Sequence, residues 1–214
     1  MSLSKLAAIA GVIIGAVGLS LDFIVIAGTM VAGPVNPVAR SLPDMLVYFW
    51  TFFTHLSNLA LVLVYLSALT QWRWLGWFRS ATTRAAFGGH TILVMAFFHF
   101  VLAPNYQFTG MLLIANYLLH YVAPIFYLLW WALLTPHGAL RWKDLPLMLV
   151  PGIGYVAWVL LRGALVAEYP YEILNPAHGL GPLALGIGGL LLAVALFCAL
   201  LILLDKPLAR WRAA

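Results

Sequence analysis

Charge is scarce in this chain. Charged residues make up 8% of the 214 residues, hydrophobic residues make up 64%, and the mean hydropathy is +1.02. A typical soluble domain carries about 25% charged residues, so this composition excludes an ordinary soluble protein. Cysteine is almost absent too, and Cys198 has no second cysteine in the sequence with which to form a disulfide.

Long apolar runs fill most of the remaining sequence. Each is close to the roughly 20 residues that a helix needs to cross about 30 Å of hydrocarbon. We therefore predict an all-α polytopic membrane protein, in which residues 1–214 form a single domain built as a six-transmembrane-helix bundle. The predicted spans are residues 6–32, 47–69, 86–103, 111–134, 145–166 and 182–204.

The basic residues predict the orientation of the bundle. Of eleven Lys and Arg residues, only Arg40 and Arg162 fall on the outer side if both termini are cytoplasmic, which is the asymmetry of the positive-inside rule. The net charge of +5 then reflects topology and not nucleic-acid binding. The first run is expected to be retained as a span and not cleaved as a signal peptide, because it is long and contains Asp22.

Polar residues inside the spans are the candidate functional residues, because polar groups in hydrocarbon face the protein interior and need partners. Counting 1.5 Å per residue from the outer ends of the spans places most of them in one layer. The depth below the outer boundary is roughly 10–17 Å for the residues of span two and roughly 8–14 Å for those of span four. The members of this layer are Asp22, Thr54, His55, Asn58, His99, Asn116, His120 and Arg162.

Helical spacing groups these residues further. Thr51, Thr54, His55 and Asn58 recur at i, i+3, i+4 and i+7, which predicts one stripe on span two. Asn116, His120 and Pro124 share a face of span four. Pro124 has no N–H, so it is expected to free the carbonyl of His120.

A threonine and a histidine in one layer suggest nucleophilic catalysis, since histidine is the usual base for a hydroxyl nucleophile. Thr54 and His120 are the candidate pair, with Thr51 as the alternative nucleophile. Asp22, His99 or Asn116 are candidates to orient the imidazole. Asn58 or Arg162 are candidates to stabilise an oxyanion.

Other interpretations fit the same residues. The hydroxyl and the imidazoles could serve only as hydrogen-bonding groups between helices, and Arg162 could pair with Glu168 or Asp22. The layer could also hold a lipid or small ligand without chemistry. A haem could be ligated by His55 and His99, or by His99 and His120, although no ligand spacing in the sequence supports a metal or cofactor.

Three short stretches resemble a known family. They are FFTHLSN at residues 52–58, HYVAP at 120–124 and YPYEILN at 169–175. Their order within a six-span frame is similar to that of the bacterial membrane family called Pr6Pr, which is similar in turn to the animal androgen-induced, FAR-17a-like proteins.

The resemblance implies an intramembrane threonine hydrolase. Its animal relatives cleave fatty acid esters of hydroxy fatty acids, with a nucleophile matching Thr54 and a base matching His120. It further implies a lipid ester substrate reached from the outer leaflet, membrane lipids as partners, no cofactor and a bacterial inner-membrane location. The chain departs from the bacterial pattern at Trp130, Trp131, Glu172 and Asn175.

Overall fold

The structure is a computed structural model that describes residues 1–32 and 40–213, and the regular elements within those ranges are all helical. The α-helices are α1 (Leu3–Ala32), α2 (Leu42–Phe49), α3 (Phe53–Leu69), α4 (Ala81–Phe97), α5 (Gly110–Tyr117), α6 (Ala123–Leu134), α7 (Leu145–Val166) and α8 (Leu180–Ala213). A π-helical turn, Phe98–Leu102, follows α4, and a second, Leu118–Val122, joins α5 to α6.

Among the described residues, five helical segments are long and apolar enough to cross a membrane: Leu3–Gly28, Ala81–Asn105, Gly110–Leu134, Trp142–Val166 and Leu180–Arg212. This is compatible with an integral membrane protein. The predicted helices of spans one, three, four, five and six are therefore confirmed as helices. The segment that corresponds to predicted span three, Ala81–Asn105, is 25 residues long. It is longer than predicted because α4 begins five residues before the predicted start and a π-helical turn extends it.

The prediction of one continuous helix over residues 47–69 is wrong. The helix α2 ends at Phe49, α3 begins at Phe53, and the two axes meet at 77°. Phe52 is extended, with φ −79° and ψ 132°, which breaks the helical ladder between them. Thr54 is thus the second residue of α3, and a depth counted along a straight helix from residue 47 does not apply to it.

The helices group into two compact units. One comprises Met1–Arg79 and Val94–Thr135, and the other comprises Ser80–Leu93 and Pro136–Ala214. In the first unit α1 packs against α3, α5 and α6. Glycines permit this close packing, because a Cβ on Gly15 would lie 2.5 Å from Val62 Cγ2 and one on Gly18 would lie 2.9 Å from Leu119 Cδ2.

In the second unit α7 packs against α8, and a buried carboxylate anchors the segment that precedes α7. Asp205 of α8 accepts hydrogen bonds from the backbone N–H groups of Gly138 and Leu140 at 2.9 and 2.8 Å, and its other oxygen lies 3.1 Å from His137 Nδ1. Gly138 has φ +94°, a conformation that side chains disfavour. The sequence analysis missed this clasp, because Asp205 lies just beyond the predicted sixth span.

Candidate functional site

The hydroxyl of Thr54 and the imidazole of His120 are in hydrogen-bonding contact. Thr54 Oγ1 lies 3.2 Å from His120 Nε2, and both residues are buried, with 8% and 7% of their surface exposed. Thr54 belongs to the first turn of α3, and His120 to the π-helical turn between α5 and α6. Residues 66 positions apart therefore form a hydroxyl–imidazole contact within the first unit.

The hydrogen bonds of His120 define its tautomer. His120 Nδ1 lies 3.0 Å from the backbone carbonyl oxygen of Asn116. A carbonyl oxygen only accepts hydrogen bonds, so Nδ1 must carry the proton. In the neutral imidazole Nε2 then carries the lone pair and accepts the hydroxyl proton of Thr54. This is the tautomer that a general base requires.

The orienting group of His120 is thus a main-chain carbonyl, whereas the sequence suggested a side chain. The amide of Asn116 donates to the carbonyl of Leu112 at 2.8 Å, so only the backbone of Asn116 serves His120. His99 Nδ1 lies 3.0 Å from the hydroxyl of Tyr121 and is exposed to solvent or lipid. Phe98 supports the imidazole from one side, with its ring stacked 3.9 Å from that of His120.

Asp22 pairs with His55. Asp22 Oδ2 lies 2.7 Å from His55 Nε2, and both residues are about 95% buried. The other imidazole nitrogen, Nδ1, donates to the carbonyl of Phe49 at the end of α2, and the Phe49 ring stacks on His55 at 3.8 Å. Both nitrogens of His55 are engaged, so His55 holds structure in place and does not offer a free base.

Thr51 does not continue the stripe of span two, because it lies in the break between α2 and α3. Its hydroxyl donates to the carbonyl of Val47 at 2.7 Å. The stripe inferred from residue spacing is therefore interrupted, and only Thr54, His55 and Asn58 share α3.

Asn58 supports the backbone around the pair. Its amide nitrogen donates to the carbonyls of Thr54 and Leu119, at 2.8 and 3.1 Å. Both N–H groups are used in this way, which removes Asn58 as a free oxyanion donor. Its oxygen Oδ1 is buried with no hydrogen-bond partner.

The π-helical turn explains why Leu119 needs that donor. Ala123 donates to Leu118, five residues earlier, so the next carbonyl in this register, that of Leu119, faces Pro124, which has no N–H. The carbonyl freed by Pro124 and reached by a side chain is therefore that of Leu119. The expectation that it would be the carbonyl of His120 assumed a regular α-helix.

Arg162 belongs to the second unit and forms an ion pair there. Its Nη2 donates to Glu168 Oε2 at 2.8 Å, and its Nη1 lies 3.4 Å from the carbonyl oxygen of Glu168. This is one of the two pairings that the sequence suggested. The guanidinium therefore binds the segment that follows α7.

The segment between α7 and α8 carries an exposed polar cluster. Glu172 Oε2 accepts from His178 Nε2 at 2.7 Å and from the Asn175 amide at 3.3 Å. These hydrogen bonds, above all that from His178, hold the pKa of Glu172 below its ordinary value. Glu172 and Asn175 thus contact each other.

Sequence reasoning missed the two phenylalanines that stack on the histidines, Phe49 and Phe98. It also missed the carbonyls that define the imidazole tautomers. The one sequence signal for a stacked ring was weak, namely an aromatic residue six positions before His55. That spacing does not distinguish a stacked ring from ordinary core packing.

No group of three or more His, Cys, Asp or Glu side chains suited to a metal ion occurs among the described residues. Comparison of the chain with protein-family models, with curated proteins and with solved structures finds no match.

Proposed function

We propose that the protein is an intramembrane lipid-ester hydrolase with Thr54 as nucleophile and His120 as general base. The observation that carries the proposal is the contact between Thr54 Oγ1 and His120 Nε2, together with the proton held on Nδ1 by the Asn116 carbonyl. A hydroxyl becomes an effective nucleophile when an adjacent base removes its proton. In this tautomer the unprotonated Nε2 of His120 lies next to the hydroxyl proton of Thr54.

The reaction has two balanced steps. Thr54 Oγ1 attacks the ester carbonyl and its proton moves to His120 Nε2; the alcohol then leaves with that proton, and an acyl-threonine remains. Water next gives a proton to His120 Nε2 and attacks the acyl carbon, which releases the carboxylic acid and restores the Thr54 hydroxyl. The positive end of the α3 dipole lies beside Thr54 and favours the negative charge that develops during each attack.

The proposal includes a membrane setting. The chain resembles the Pr6Pr and FAR-17a-like families, and we propose a bacterial inner-membrane protein with both termini cytoplasmic. The bent pair of α2 and α3 then serves as the second of six spans. A lipid ester then enters laterally from the outer leaflet, and no cofactor takes part.

A second candidate function is non-catalytic binding of a lipid that carries a hydroxyl group. The observation in its favour is the buried oxygen Oδ1 of Asn58, which has no partner. A buried acceptor of this kind is costly unless a donor meets it. A bound hydroxyl would supply that donor without any reaction at Thr54.

Labelling with a fluorophosphonate probe tests the hydrolase. The purified protein is expected to be labelled, Thr54→Ala to be unlabelled, and His120→Ala to be labelled at least about 100-fold more slowly, since a general base contributes on this scale. Thr51→Ala is the matched control, because its hydroxyl bonds Val47, and it should be labelled like the wild type. A folded wild type that is not labelled, or a Thr54→Ala variant that still is, overturns the hydrolase and favours binding.

A further inference from the structure

An apolar groove lies where α2 turns away from α3. Its volume is about 420 Å³, and it runs between the middle of α1 and the end of α2. Its lining includes Leu19, Ser20, Phe23 and Ile24 from α1, and Phe49 and Trp50 from the end of α2 and the break. Apart from the Ser20 hydroxyl and the Trp50 indole, these side chains carry no polar atoms.

Two residues that line the groove also contact chain neighbours of the candidate pair. Leu19 and Phe49 are buried and form one cluster with Leu119, the residue that precedes His120. Phe49 also stacks on His55, the residue that follows Thr54. Thr54 and His120 thus each have a chain neighbour in contact with a lining residue of the groove.

We propose that this groove is the binding site for an acyl chain of a membrane lipid. The proposal rests on the proposed function in one respect, namely that the chain it holds is the one attached to the ester carbonyl attacked by Thr54. Ligand sites typically measure about 300–1,000 Å³, so the groove is large enough for a single chain. One wall of the groove belongs to a segment of α1 that is apolar enough to cross a membrane, and in the proposed membrane setting lipid chains reach that segment.

The environment determines what the groove contributes. A lipid tail moves from hydrocarbon into an apolar groove, so little hydrophobic free energy is gained, and packing against the lining dominates. The groove therefore selects chain length and shape more than it raises affinity. Filling it should impair long-chain substrates and spare short ones.

The test compares two tryptophan substitutions on α1. Ile24→Trp fills the groove, and Ile13→Trp is the matched control, because Ile13 is outside the groove and the two side chains are similarly exposed, at 61% and 57%. Turnover of hexadecanoyl and butanoyl esters of p-nitrophenol is measured for each purified protein. We expect Ile24→Trp to lower kcat/KM for the hexadecanoyl ester at least about tenfold, with butanoyl turnover unchanged. Ile13→Trp should change neither.

A second measurement does not depend on turnover. Hexadecanoic acid with a photoreactive diazirine at its terminal carbon should crosslink to the peptide containing residues 19–24 in the wild type and in Ile13→Trp, but not in Ile24→Trp. Crosslinking in this pattern without any ester turnover supports the groove and overturns the hydrolase. Turnover with no chain-length effect of Ile24→Trp, or crosslinking that Ile24→Trp leaves intact, overturns the groove and leaves the hydrolase standing.

Discussion

His55 Nε2 lies 2.7 Å from Asp22 Oδ2, and this contact connects three helical elements. Asp22 belongs to α1, His55 to α3, and the second nitrogen of His55 donates to the carbonyl of Phe49 at the end of α2. In a continuous helix that carbonyl would accept the N–H of Phe53, four residues later. Here the N–H of Phe52 reaches that carbonyl at 3.4 Å, and the imidazole of His55 contacts it as well. The pair therefore stabilises the break that leaves Thr54 in the first turn of α3.

Removing Asp22 tests the energetic weight of this pair. Asp22→Ala leaves the buried Nε2 of His55 without a partner, and we expect the free energy of unfolding to fall by roughly 3 kcal/mol. Asp22→Asn should cost less, because its amide N–H can donate to Nε2 of the neutral imidazole. Equilibrium unfolding of the purified protein in mixed micelles of increasing SDS content measures both variants. Equal losses would show that hydrogen bonding to His55 does not contribute.

The bond between Asn58 and Leu119 allows a rescue experiment. Asn58→Leu removes the side-chain donor of the Leu119 carbonyl, whereas the Thr54 carbonyl keeps its helical bond within α3. An unsatisfied buried group costs about 1–3 kcal/mol. Pro124→Ala restores an N–H opposite the carbonyl of Leu119 in the π register. We therefore expect Asn58→Leu to be less destabilising in a Pro124→Ala background than in the wild type. The two substitutions form a double-mutant cycle measured by the same unfolding assay, and purely additive losses would contradict the proposed exchange of donors.

The clasp on Asp205 predicts a local effect. Asp205→Ala removes the acceptor for two backbone N–H groups and for His137, so we expect a loss of roughly 3–5 kcal/mol and faster proteolytic cleavage within residues 136–141. Asp205→Asn retains one carbonyl oxygen as an acceptor and should lie between Asp205→Ala and the wild type. Limited proteolysis followed by mass spectrometry locates the cut. Cleavage at the wild-type rate in Asp205→Ala would show that the clasp does not hold this segment.

The apolar runs predicted the helices well, since hydropathy alone predicts long buried or membrane-spanning helices. The limits 145–166 agree with α7 at both ends. The sixth run was predicted to end at 204, but α8 continues to Ala213, because the basic residues that signal a boundary are also good helix formers. Hydropathy could not predict the break at Phe52, because residues 47–69 are apolar on both sides of it.

The residues of the candidate site could be identified from the sequence, but the contacts between them could not. Estimated depth in the predicted spans placed Thr54 and His120 in one layer, and the structure brings their side chains into contact. The partner of Asp22 was not predictable, because Asp22 and His55 are 33 residues apart and helical spacing applies only within one helix. The π-helical turn shifts the register by one residue, so counting in fours from Pro124 identified the wrong carbonyl.

The Asp205 clasp has a consequence for the order in which the chain is made. Leu140 and Gly138 leave the ribosome 65 and 67 residues before the carboxylate that binds their N–H groups. At 5–20 residues per second, they wait on the order of several seconds for that carboxylate. During this interval the turn before α7 lacks its acceptor, so its final shape is fixed only when the last helix arrives.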